Sequence, residues 1–163
     1  MSVTGKTPSE LVVAAAKQLT EHHVTHCCMS TYYVEPDDVD TQQFPWGTLK
    51  WMTTPEVTGS ERFSAGVVQL EPGKGHELHT HPDSDEILYF LSGEGEQTVE
   101  GDTHDVGPGE MVYIPAGVEH GTVNTGWETL KLLAVYAPPG PEDVLADLPD
   151  CTIVPAGEVP TRD

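Results

Sequence analysis

The chain has 163 residues, 27 of them acidic and 7 basic, for a formal net charge of −20. That balance excludes nucleic acid and anionic membrane as partners, because phosphates and anionic headgroups require a basic face. The length suffices for one domain with its own core, and 16 glycines with 14 prolines suit a turn-rich β protein.

No acidic block is long enough to form a tail, so the charge belongs to the folded surface. Many Asp and Glu with only five Lys look like the proteins of salt-accumulating halophiles; an ordinary acidic cytosolic protein is the alternative. At molar salt the Debye length is about 3 Å, which screens self-repulsion of this size. Cys27, Cys28 and Cys151 are odd in number and two of them adjacent, so no disulfide framework is implied. No apolar run approaches the roughly 18 residues of a membrane span. Met1-Ser2-Val3-Thr4 lacks the basic start and apolar core of a signal peptide, which predicts a cytoplasmic protein.

Along the chain, Thr7-Pro8-Ser9-Glu10 has the form of a capping box with proline at the first helical position. Leu11, Val12, Ala15, Ala16 and Leu19 follow at helical spacing. An N-terminal helix is predicted, its apolar stripe covering a face of the domain or crossing to a partner subunit. It runs out in a stretch carrying His22, His26 and Cys27. Histidines four apart can share a metal on a helix face, with Cys27 as a soft additional ligand. The simpler reading is a polar helix end whose histidines complement the dipole. Residues 35–45 read as an acidic connection, so that 1–45 form an N-terminal helix and linker. Residues 46–52 and 62–70 read as strands separated by a loop at 53–60.

The next stretch carries the chemistry: Gly73, five residues, His79, one residue, His81, four residues, Glu86, six residues, Gly93. His79 and His81, two apart on an extended strand, point to one face. Pro82-Asp83-Ser84-Asp85 is a turn that folds the chain back, and Glu86 opens the apolar strand Ile87-Leu88-Tyr89-Phe90-Leu91. Two imidazoles and a carboxylate converging from adjacent strands make a cation site. His120 supplies a fourth ligand from Gly109-x5-Pro115-x-Gly117-x2-His120-x3-Asn124, a second strand-and-turn segment.

Both segments resemble the paired signature motifs of the cupin family at every defining position, over roughly residues 60–137. The resemblance implies an all-β fold, a small antiparallel barrel of jelly-roll type, holding one divalent metal on His79, His81, Glu86 and His120. It also implies pairing through barrel faces, so a homodimer is expected, with N-terminal segments contributing.

Residues 95–106 read as a hairpin with its turn at Gly101-Asp102. Gln97 and Val99 face inward there, and His104 faces solvent. Residues 111–114, 118–123 and 128–137 read as strands, the last apolar enough to be buried on both faces. Pro138-Pro139-Gly140-Pro141 stops the sheet, with a short helix at 142–148 after it. The barrel is thus expected over 46–137 and a Pro-rich tail over 138–163.

Three neutral imidazoles and one carboxylate suit a divalent first-row ion such as Mn, Fe, Co, Ni, Cu or Zn. They leave about two octahedral positions open for substrate, water or O₂. If Glu86 faces inward, so do Leu88 and Phe90, and Gln97 becomes a polar contact beside the metal. Arg62 is the arginine that would clamp a dicarboxylate, unless its strand aims it at solvent. A fold does not fix a reaction. The first expectation is a dioxygenase-like oxidoreductase acting on a small organic substrate. The alternatives are a non-redox isomerase or lyase on a sugar or small acid, and a non-catalytic binding or sensing protein.

Overall fold

The computed structural model describes residues 32–161, which lie within one compact unit spanning Thr31–Asp163. The expected helix at 7–19, the His22, His26 and Cys27 group, and Arg162 lie outside the described residues. Among the described residues no helix is long and apolar enough to cross a membrane.

The strands are β1 (Thr41–Phe44), β2 (Gly47–Thr53), β3 (Ser64–Leu70), β4 (Asp85–Ser92), β5 (Gly95–Val99), β6 (Asp102–Val106), β7 (Met111–Ile114), β8 (His120–Asn124), β9 (Leu130–Ala137) and β10 (Thr152–Val154). Short helices α1 (Pro55–Thr58) and α2 (Pro141–Ala146) interrupt them. One sheet runs β10-β1-β2-β3-β9-β4-β7 and the other β6-β5-β8, with every pair antiparallel. The all-β architecture expected from the sequence is thus the one formed.

Alternation puts one apolar face of each long strand into a single core. Leu49 and Trp51 of β2, Val68 and Leu70 of β3, Leu88 and Phe90 of β4, and Leu130, Leu132 and Ala134 of β9 meet there. The opposite face of β9 is only half-buried rather than fully covered, because Leu133 and Val135 lie on the sheet's outer side. The turn after β5 consists of Glu100 and Gly101, with φ of 52° and 86°. A two-residue hairpin of the twist-matching type needs positive φ at both positions, and glycine supplies one without strain. At Gly93, φ is 85° and an added Cβ would stand 2.7 Å from Thr129 O and from Leu130 Cα. The motif glycine is therefore a close-packing position.

The sheet extends beyond the expected 46–137 at both ends. Part of the supposed connection at 35–45 is β1, and part of the supposed tail is β10, which pairs with it through Thr41↔Val154, Gln42↔Ile153 and Gln43↔Thr152. Thr-Gln-Gln-Phe has no apolar alternation to announce a strand. Gln42 finds its partner only in place, its Oε1 accepting from Trp51 Nε1 at 3.2 Å. The 53–60 loop contains α1, capped by Thr54, whose Oγ1 accepts from Val57 N at 3.1 Å. Strand β3 begins at Ser64 rather than at 62, leaving Arg62 exposed on a bend.

Candidate metal centre

Residues 73–81 run alongside β8 as an irregular extra strand. Gly73 N donates to Asn124 O, Asn124 N to Lys74 O, and His76 N to Thr122 O. Further along, His79 N donates to His120 O and His120 N to His79 O, each at 2.9 Å. This reciprocal pairing sets His79 directly opposite His120, so both side chains leave the same face. Asn124, the last position of the second motif, is fully buried and ties the segment down. Its Nδ2 donates to Leu70 O and Glu128 O, each at 2.8 Å, and its Oδ1 accepts from Gly126 N. The start of β4 is held by Asp85, which accepts from Ala116 N at 2.9 Å and from the Tyr113 hydroxyl at 3.1 Å.

The ring orientations are set from behind. His79 Nδ1 donates to Glu77 O at 2.7 Å and His120 Nδ1 to Val118 O at 2.9 Å. A carbonyl only accepts, so Nδ1 carries the proton in both rings and Nε2 presents its lone pair to the cluster. The ligand nitrogens of His79, His81 and His120 lie within 4.8 Å of one another. Glu86 Oε2 stands 2.7 Å from His120 Nε2 and 3.7 Å from His81 Nε2. Yet His81 Nε2, Glu86 Oε2 and His120 Nε2 are buried without a hydrogen-bond partner of good geometry. Buried polar atoms left without partners are costly, and here they converge on one point. A borderline cation fits that donor set.

Burial, reinforced by the three neighbouring imidazoles, pushes His76 down to about 3. Burial pushes His81 down to about 4 against the pull of Glu86, and it also lowers His79. Burial acts against a proton on His120 too, but the Glu86 carboxylate outweighs it and His120 is raised. In the metal-free protein three histidines thus protonate more easily unfolded than folded. Their stabilising contribution is present above about 6.5 and is lost as pH falls through about 4 for His81 and about 3 for His76. His120 has the opposite sign, one group against three. Thermal melts of chelator-treated protein are expected to fall steadily from pH 7 to pH 4, and a flat profile would contradict this electrostatic picture.

His76 holds no slot in either motif, and nothing in its spacing marks it. The structure brings it beside the cluster, its ring 4.0 Å from Trp46 and 5.4 Å from His79, with Nε2 buried and unpartnered. Tyr136 of β9 packs its ring 4.7 Å from His81. Burial and the neighbouring Glu86 raise its hydroxyl well above the ordinary range. Leu88 lines the space beneath the cluster with Glu86, Thr122 and Tyr136. Phe90 lies deeper, wholly buried in the core. Gln97 is buried, but its Oε1 accepts from Thr122 Oγ1 and its Nε2 donates to Thr98 O, which sets it behind Thr122 rather than against the cluster. Arg62 is exposed and takes no part in lining the site. The expected polar clamp is absent among the described residues of the cavity wall, because the bend before β3 carries Arg62 out to solvent.

The cluster opens into a cavity of about 790 Å³ whose wall includes Trp46, His76, His79, His81, Leu145 and Leu148. Its far side is the segment from Pro138 through α2. Ser84 Oγ donates to Pro138 O at 2.8 Å, and the buried Glu142 carboxylate accepts from Ser64 Oγ and Gly140 N, each at 2.8 Å. Glu142→Ala leaves both donors without their acceptor in a buried place, an expected loss of about 1–3 kcal/mol. Urea unfolding would show it, and an unchanged midpoint would mean that α2 is held by packing alone.

A model of the Cupin domain matches residues 66–136. Dimethylsulfoniopropionate lyase DddW of Ruegeria pomeroyi is 31% identical over 113 residues, 63% of this chain and 72% of that protein. A glucose-6-phosphate isomerase of Thermococcus kodakarensis is 40% identical over 98 residues, 55% of this chain and 47% of that protein. The chain therefore spans about half the length of that isomerase. Among solved structures, KdgF from Halomonas sp. superimposes with a TM-score of 0.60 at 22% identity, covering 68% of this chain and 98% of that one. That last likeness concerns the fold.

Proposed function

Since the chain belongs to the cupin family, we propose that it is a metal-dependent enzyme acting on a small organic molecule, with His79, His81, Glu86 and His120 holding one divalent first-row ion. The observation that carries this reading is the convergence of buried, unpartnered donor atoms at the base of an open cavity. An ion bound there supplies Lewis-acid polarisation of a substrate oxygen, or redox chemistry if it is Fe, Mn or Cu. The chain's own groups then act around it. His76, held neutral beside His79, is a further imidazole in the cavity wall, its Nε2 buried. Tyr136, buried behind the cluster, keeps its proton at all ordinary pH and donates toward Glu86, which would orient that carboxylate.

The isomerase and the lyase among the relatives support a non-redox reaction. The dioxygenase-like reading uses the same four ligands, with the side facing the cavity available to O₂. Elemental analysis of the native protein, with mass spectrometry of any co-purified ligand, identifies ion and substrate. Turnover of that substrate with Zn under argon is the expected result. A requirement for Fe, Mn or Cu with O₂ uptake selects the oxidative reading instead, and no turnover with any metal leaves a binding or sensing protein.

We further propose a cytoplasmic homodimer adapted to high salt. Edge strand β7 exposes Met111 and Tyr113, and Leu91 is exposed beside it, apolar surface that a second subunit would cover. A dimeric mass by light scattering in molar KCl is expected, and a monomer at micromolar concentration ends the proposal. The melting temperature should rise from low to molar KCl as self-repulsion is screened. A flat or falling trend would count against salt adaptation.

A further inference from the structure

We propose that this cavity selects a substrate with an uncharged or cationic, largely apolar body and rejects one carrying a second anionic group. The proposal rests on the metal-centre reading above, which supplies the anchor for one oxygen-bearing head.

The walls carry the inference. Trp46, Val144, Leu145 and Leu148, together with the prolines at 138, 139 and 141, line the space above the cluster. Val144 and Leu148 are 64% and 38% exposed although apolar. An apolar ligand body in the cavity would cover part of that exposed apolar surface. Trp46 is a fixed wall, since its ring stacks on Phe44 with centroids 4.5 Å apart and planes 9° apart. The opposite wall is fixed as well, because Glu142 and the Ser84 hydroxyl hold the 138–146 segment in place.

The charges in the wall all have one sign. Glu77, Asp83 and Asp150 stand in the lining, and no lysine or arginine among the described residues does. Lys50 is turned away, its Nζ donating to Pro36 O and Val39 O at 2.6 and 2.8 Å. A phosphate or second carboxylate in this space would lie among carboxylates without a guanidinium or ammonium partner, which costs both desolvation and repulsion. A cationic tail would meet the reverse. The net charge of −20 adds a long-range field of the same sign, slowing the approach of polyanions. A sugar phosphate or a short dicarboxylate is thus a poor match for this site, whatever such molecules do elsewhere.

The test uses three probes with one shared carboxylate head: pentanoate with an apolar tail, γ-butyrobetaine with a trimethylammonium tail, and glutarate with a second carboxylate. Each is titrated calorimetrically into the full chain loaded with Co(II), at physiological ionic strength, where the Debye length is about 8 Å. Glutarate is expected to bind at least roughly tenfold more weakly than either of the others. The gap should narrow in the Asp83→Asn, Asp150→Asn double variant. Glutarate binding as tightly as pentanoate, an unchanged gap in the double variant, or no binding of any probe by protein with one cobalt per chain would each overturn the proposal while leaving the metal centre intact. Cobalt well below one per chain in the same samples would overturn the metal reading itself, and this proposal with it.

Discussion

His120→Ala is expected to lower metal affinity by at least about 100-fold, leaving purified protein with well under one ion per chain. Loss of a group that merely orients a ligand typically costs about 10- to 100-fold, and His120 is placed as a ligand. It stands opposite His79 through two 2.9 Å backbone bonds, with its tautomer fixed by Val118 O and its Nε2 2.7 Å from Glu86. The substitution also removes the imidazole that stands 2.7 Å from Glu86 Oε2, so loss of the ion has to be told apart from loss of the fold. Elemental analysis after dialysis, together with circular dichroism, separates the two effects. Stoichiometric metal in a folded variant would remove His120 from the site.

Phe90→Ala should cost about 3–5 kcal/mol of stability, the usual range for emptying a large aromatic from a packed core. Phe90 is 0% exposed and packs in the same cluster as Leu88, Leu130 and Leu132. It is followed by Gly93, where the backbone passes too close to residues 129 and 130 to shift freely. That rigidity favours a residual cavity over collapse, which places the expected cost toward the upper part of the range. Urea unfolding of the metal-free protein measures it directly, and a loss below about 1 kcal/mol would mean that the core repacks around the gap.

The inward set Glu86, Leu88 and Phe90 was legible because strand parity is a local rule once one member is placed. The convergence of His79, His81, Glu86 and His120 was legible for a related reason. His79 and His81 share a face by spacing, and Pro82-Asp83 turns the chain so that Glu86 faces them. The second Gly- and Pro-punctuated segment carries His120 to the same end of the barrel. The all-β class was expected from the resemblance to the cupin motifs, and the glycine- and proline-rich composition was in keeping with it.

Where partners were remote in sequence, local pattern had nothing to read. β1 is a strand because β2 and β10 lie on either side of it, and Phe44 and Thr152 are 108 positions apart in the chain. His76 belongs to the site because its segment pairs with β8 and Trp46 closes over it. Gln97 has the expected inward parity but is already bonded to Thr122. Arg62 lost its assigned place when β3 started two residues later. The wall from Pro138 to Leu148 reads in sequence as a stop and a short helix. Only its buried Glu142, bonded to Ser64 78 residues earlier in the chain, makes it one side of the cavity. Residue spacing along a strand determined which groups face inward. The pairing of distant segments, which depends on backbone hydrogen bonds and burial with no local signature, decided what surrounds them.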